Sequence, residues 1–494
     1  MTPRCAALCA GLLAFLAAGC ATLDAPFAEH LASDAPQLRG CAEWYRSLDE
    51  RVAAAGTRDA QDARVRGFPY LRVSRLLAAL RPAVSSDEEL LRAMTDRMLA
   101  LDLEARRYEI MNLPAGTADT REALQRAREC GRLLRDVDLA APESRAALLQ
   151  RAGVPDDYRL ANRILGLYWL TRIAFAQGVR REEEQTRARF QRSPAEGSSV
   201  ARYVRYAPEP GTQLTRPQAA LVLERAAENP LRIPEPSEEN LNALLAAYAP
   251  SFEVDVQRDY DRFGALRWLR GAASPSVDGS QLAVYGHAAW TRYEGRVLLQ
   301  LVYTLWFPQR APQYAGDPLA GTLDGITWRV TLAPDGEPLI YDAIHPCGCY
   351  HQFFPTPRAA PRPGPGGLEE WMFSPQSLPA MGDGTRPVVK IATGTHYIEG
   401  ISRVRGTDSL VRYELRPYAE LRSLVNYAGG RTSAFGADGL VPGTERPERF
   451  VFWPMGIASA GAMRQWGRHA TAFVGRRHFD DADLFEKRFR FDLR

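Results

Sequence analysis

The chain has 494 residues, 46% of them hydrophobic and 24% charged. That balance excludes a disordered polymer and, at this length, predicts two or three folded domains. Its net charge of +3 excludes the strong basic field of a general nucleic-acid binder.

The first element in chain order is a targeting segment. Arg4 is followed by the apolar run Ala6–Ala18, which contains Leu8, Leu12, Leu13, Phe15 and Leu16. The run is shorter than the roughly 20 residues needed to cross a bilayer and ends in small residues, the pattern of a secretory signal. Its ending, Leu16-Ala17-Ala18-Gly19-Cys20, resembles the lipobox of bacterial lipoprotein precursors. It departs from that class in having Ala17, not leucine, three positions before the cysteine. The resemblance implies removal of residues 1–19, acylation of Cys20 and attachment to a membrane through lipid. Ala21, rather than aspartate, implies the outer membrane, with the chain facing the periplasm of a bacterial cell envelope. Cys5 and Cys9 would leave with the signal. In an oxidising compartment Cys41 and Cys130 are either a disulfide or two separate buried thiols.

Residues 20–250 read as a helical domain. Ser86 and Glu89 are spaced as a capping box ahead of Leu90, Leu91, Met94, Met98 and Leu101, and Asp119 and Glu122 mark a second helix start. Asp156-Asp157 precede the most apolar stretch, Ile164–Ala176. It is too short to span a membrane, so it is expected to be a buried central helix or, failing that, a helix partly set into a membrane surface. Prolines between 230 and 236 close this part.

Residues 251–355 read as an antiparallel β domain. Leu298–Phe307 is rich in β-branched and aromatic residues, Ile326–Leu332 follows, and Asp335-Gly336 is a hairpin signal before Pro338–Ile344. Residues 356–494 open on a proline- and glycine-rich stretch and read as a mixed α/β part. The expected fold class is therefore α+β: a helical N-terminal part, an antiparallel sheet, then a mixed C-terminal part. Tyr303, Trp306, Phe307, Trp328, Tyr341 and Tyr350 are expected mainly as core, with a carbohydrate-stacking platform as the functional alternative.

Two clusters carry chemistry. In His345-Pro346-Cys347-Gly348-Cys349-Tyr350-His351, four potential metal ligands alternate along the chain. On an extended strand they would span about 20 Å, at about 3.3 Å per residue, too far for one ion. Pro346 and Gly348 instead predict a compact loop at a strand end. Thiolate with imidazole would favour zinc, with His287 or His396 as additional ligands. The alternatives are a structural turn and a histidine-activated thiol nucleophile. The second cluster comprises Arg464, Arg468, His469, Arg476, Arg477 and His478. It would bind an anion unless its guanidinium groups pair with Asp480, Asp481 and Asp483. There is no phosphate-binding loop, nucleophile elbow, His-Glu-x-x-His pair or dinucleotide fingerprint. The expected function is a cell-envelope lipoprotein that binds a ligand or protein partner. The alternative is a metal-dependent envelope hydrolase built on the 345–351 loop.

Overall fold

The computed structural model describes residues 25–114, 116, 119–191, 202–211, 214–405 and 411–494; Cys20 and the signal lie outside them. The fold is α+β, with helices ahead of the sheets. The chain forms two compact units that divide between Pro155 and Asp156.

The first unit contains α1 (Ala25–Leu31), α2 (Pro36–Ala55), a hairpin of β1 (Ala63–Val65) and β2 (Phe68–Val73), then α3 (Arg75–Val84), α4 (Glu88–Met111), α5 (Thr120–Ala140) and α6 (Pro142–Arg151). The start of α4 is one residue later than expected: the side chain of Asp87, not Ser86, accepts a hydrogen bond from the Leu90 N–H at 3.0 Å. Asp119 caps α5 through Glu122 N–H at 2.9 Å. Gly131 permits a close approach within this unit, since a Cβ there would lie 2.6 Å from Leu99 Cδ1 and 2.9 Å from the Tyr45 hydroxyl. Cys41 on α2 and Cys130 on α5 form a disulfide. The same unit holds a fully buried ionic network. Arg72 donates to Glu109 at 2.6 Å and to Asp102 at 3.2 Å, and Arg106 donates to Glu109 at 3.1 Å. Burial alone would raise the Glu109 carboxyl, but Arg72, Arg106 and Arg64 hold it well below the ordinary range.

The second unit opens with α7 (Leu160–Leu165) and α8 (Tyr168–Gln191), broken at Gly166 and at Leu167, whose φ is +48°. This corrects the expectation of a buried helix over 164–176. Ile164 is 63% exposed, Leu165 76% and Trp169 68%, and of the stretch's large apolar residues none is fully buried. The hydrophobic pattern is legible, but burial requires another element to cover it; among the described residues the packing on Met455 and Val474 reaches Tyr168, Phe175 and Ala176 and leaves Ile164, Leu165, Trp169 and Leu170 exposed.

The sheet strands that follow are β3 (Tyr203–Pro208), β4 (Ser251–Asp255), β7 (Ala283–Tyr293), β8 (Arg296–Arg310), β9 (Gly321–Leu332), β10 (Pro338–Ile344), β11 (Gln352–Pro355), β13 (Thr385–Ile391), β14 (Ile398–Arg405) and β15 (Val411–Pro417); β5 (Ala265–Arg267), β6 (Ser276–Asp278) and β12 (Ala359–Pro361) belong to small separate ribbons. Among the described residues the ten strands run in the order β11-β10-β9-β8-β7-β15-β3-β4-β13-β14. Strands β7 to β11 form the expected antiparallel meander. The complete sheet is mixed, because β15 pairs in parallel with both β7 and β3, and β13 with β4. Asp335-Gly336 makes the turn between β9 and β10, with Gly336 at φ +80°. Helices α9 (Arg216–Ala226) and α10 (Glu238–Tyr248), expected in the helical domain, pack Leu223 and Leu244 into the same core as Leu301, Trp328 and Tyr341. Tyr303, Trp306, Phe307 and Trp328 are wholly buried and Tyr341 nearly so. They are core, and the carbohydrate-platform alternative has no exposed ring among these five.

Candidate functional site

The 345–351 segment is the compact loop expected at a strand end, running from β10 to β11. Two backbone hydrogen bonds close it: the His345 N–H donates to the Cys349 carbonyl at 3.0 Å, and the Gly348 N–H donates to the His345 carbonyl at 2.7 Å. Gly348 has φ +91°, and a Cβ there would sit 2.4 Å from the Ala470 carbonyl oxygen, so both conformation and space require glycine.

The loop does not gather its alternating ligands around one point. His345 Nδ1 is 3.1 Å from Asp324 Oδ1, whereas His351 Nε2 is 2.9 Å from Asp342 Oδ2. Each imidazole is committed to a different buried carboxylate. His396 Nδ1 lies 2.9 Å from the other oxygen of Asp324 and its ring stacks on Phe307 at 3.9 Å. His287 packs against Tyr418 and Trp466 instead. Among the described residues no group of three or more His, Cys, Asp or Glu side chains is placed to hold a metal ion. The zinc reading is thereby corrected: His345 and His396 are engaged by Asp324 and His351 by Asp342, two strand residues the spacing within the loop does not include.

The arginine cluster is also dispersed. Arg464 is buried and donates to the carbonyls of Cys347 at 3.2 Å and Ser459 at 2.9 Å. Arg468 pairs with Asp157 at 2.7 Å and Arg476 with Asp156 at 2.8 Å. His478 Nε2 is 3.5 Å from Asp157. His469 is buried beside Trp466 and Phe479, and burial depresses its basicity to about 3. The expected anion site is not assembled, because backbone carbonyls and aspartates engage these cations; besides Asp156 and Asp157, Asp481 lies 3.6 Å from His478 Nδ1.

What the loop does form is one wall of a cavity of about 470 Å³. Cys347, Cys349 and Tyr350 face it from the loop. Phe175, Gly178 and Val179 face it from α8, and Phe452, Ile457 and Phe473 close it from the C-terminal segment. These walls are mainly apolar, as in most small-molecule sites. Four carboxyl-bearing residues also line it, Glu182, Glu183, Glu370 and Glu448, with Arg477 beside them. Glu370 accepts hydrogen bonds from Phe473 N–H at 2.7 Å and Val474 N–H at 2.9 Å. Glu182 is held by Arg189 at 2.6 Å.

Burial raises the carboxyls of Glu183 and Glu370, and it pushes that of Glu448, which is only 4% exposed, up to about 7 against the opposing effect of Arg446. Near neutral pH Glu448 can therefore serve as hydrogen-bond donor or acceptor. The two loop thiols hydrogen-bond to each other. Burial works against ionisation of both, but the bond from Cys349 and the proximity of Arg446 lower Cys347 overall, while the same bond raises Cys349.

Glu448 and the aromatic walls carry no local motif; they come together only through the fold. Among the described residues no helix is long and apolar enough to cross a membrane. Compared with known proteins, the chain matches no family model, no curated protein and no solved structure.

Proposed function

We propose that this chain is a bacterial cell-envelope lipoprotein, anchored by lipid on Cys20, whose second unit binds one small, mainly apolar molecule in the cavity behind the 345–351 loop. The outer membrane, facing the periplasm, is the location implied by Ala21. The observation that carries the binding reading is the cavity itself. Its volume of about 470 Å³ lies within the roughly 300–1,000 Å³ of small-molecule sites, and it combines apolar walls with a few polar groups. The Cys41–Cys130 disulfide supports the export reading, because such bonds persist in oxidising compartments. Among the described residues the hydrolase alternative has no assembled set of metal ligands.

Each half of the proposal has its own test. Cells fed a fatty-acid analogue should label the wild-type chain and not Cys20→Ser; equal labelling of both would refute the anchor. For the cavity, an environment-sensitive apolar dye should bind the mature chain at one molecule per chain. Gly178→Trp should weaken that binding at least about tenfold by filling the mouth. Gly178 is an exposed helical position where an added Cβ meets nothing within 4 Å, so the substitution should leave the fold intact.

A further inference from the structure

The correction at 164–173 leaves a surface that the cavity does not use. Leu165, Trp169 and Leu170 on α7 and α8 are 76%, 68% and 50% exposed. On a second segment, centred on α11 (Arg449–Phe452), Phe450, Val451 and Trp453 are 68%, 57% and 38% exposed. The two segments adjoin. A Cβ at Gly166 would lie 2.6 Å from Pro454, and Arg163 donates to the Met455 carbonyl at 2.8 Å. Scattered exposed apolar residues need no explanation, but large ones concentrated on two abutting segments do.

We infer that this face is a bilayer-docking surface, set into the interfacial region of an anionic lipid membrane. Three features favour lipid over a protein partner. First, its composition is that of an interfacial anchor: two tryptophans with leucine, phenylalanine and valine. Second, Arg159, Arg172 and Arg449 lie within or beside the same segments, and among the described residues none of them pairs with a carboxylate; such guanidinium groups suit anionic headgroups. Third, the face is continuous with the cavity wall. Phe175 and Phe452, from these two segments, pack at 5.5 Å and both line the cavity. A multi-chain lipid on Cys20 would supply one membrane attachment and this face a second. The docking inference does not depend on what the cavity binds.

The test uses the full mature chain carrying Cys20→Ser, so that no acyl group contributes. Vesicles of phosphatidylethanolamine and phosphatidylglycerol should sediment this protein. Leu165→Ser/Trp169→Ser/Trp453→Ser should lower its partition coefficient at least about tenfold, since each change removes apolar area from the contact. All three sites are exposed, and an unchanged melting curve would show that the variant folds. Arg449→Glu should weaken binding to these vesicles and leave the weaker binding to uncharged phosphatidylcholine vesicles unchanged. Wild-type-like sedimentation of the triple variant would overturn the inference. So would failure of the parent chain to sediment, including the case in which it self-associates through this face instead.

Discussion

Removing the Cys41–Cys130 disulfide should destabilise the first unit by about 4–5 kcal/mol. The two cysteines are 89 residues apart, and the chain-entropy cost of closing a loop of that size falls in this range. Both partners are buried, Cys130 completely, so the bond ties α2 to α5 inside the core rather than at a frayed end. Urea unfolding of the oxidised chain and of Cys41→Ser/Cys130→Ser, read by circular dichroism, measures the effect. The double variant should unfold at clearly lower urea, in a transition assigned to this unit by limited proteolysis. Coincident transitions would show that the bond contributes nothing to stability.

Asp342→Ala should cost about 3–5 kcal/mol in the second unit. Arg329 donates to both oxygens of Asp342, at 2.9 Å and 2.6 Å, and both side chains are buried in the sheet. Arg329 also donates to the Phe479 carbonyl at 2.5 Å and lies 3.7 Å over that ring. Truncating the aspartate strands a buried guanidinium, which is the expensive way to break such a pair. It also frees His351, whose Nε2 has Asp342 as its partner at 2.9 Å. Replacing both ions, as in Arg329→Met/Asp342→Leu, should recover much of the loss. The pH dependence has a definite sign. Burial opposes ionisation of Asp342, but Arg329 and His351 outweigh it and hold the carboxyl below its ordinary value. Its contribution is therefore complete above the unfolded carboxylate range and is lost as pH falls through the depressed native value. Asp342→Asn should flatten the acid side of the stability curve. Equal denaturation midpoints for wild type and Asp342→Ala at neutral pH would contradict the assignment.

Some of this architecture is readable from local pattern, and some is not. The meander β8-β9-β10 is legible because Leu298–Phe307, Ile326–Leu332 and the Asp335-Gly336 turn are adjacent in the chain and antiparallel pairing needs only a short connection. The parallel pairings of β15 with β3 and β7 are not, because their partners lie more than a hundred residues apart and a lone stretch such as Tyr203–Pro208 carries no signal naming its neighbour. At the site, Pro346 and Gly348 announce the turn. The destinations of His345 and His351 depend on Asp324 and Asp342, buried in β9 and β10, and no spacing rule within the loop reaches them. Glu448 is likewise an unremarked acidic residue until the fold buries it. The stretch 164–173 shows the reverse: its apolar character is plain in sequence, but exposure is a property of what fails to pack on it.

A small apolar molecule in the cavity beside the loop would shield the two loop thiols, which are placed to report it. In the mature Cys20→Ser chain Cys41 and Cys130 are joined, while Cys347 and Cys349 are free and line the cavity, Cys349 with partial exposure. The direct measurement is the rate at which Cys347 and Cys349 are alkylated by a small maleimide, followed by peptide mass spectrometry, while the apolar dye is titrated to saturation. Occupancy of the cavity predicts that alkylation slows at least about tenfold along the same curve as dye binding, and that Gly178→Trp shifts both curves together to at least about tenfold higher dye concentration. Saturable dye binding that leaves the alkylation rate unchanged would place the ligand elsewhere and contradict the account.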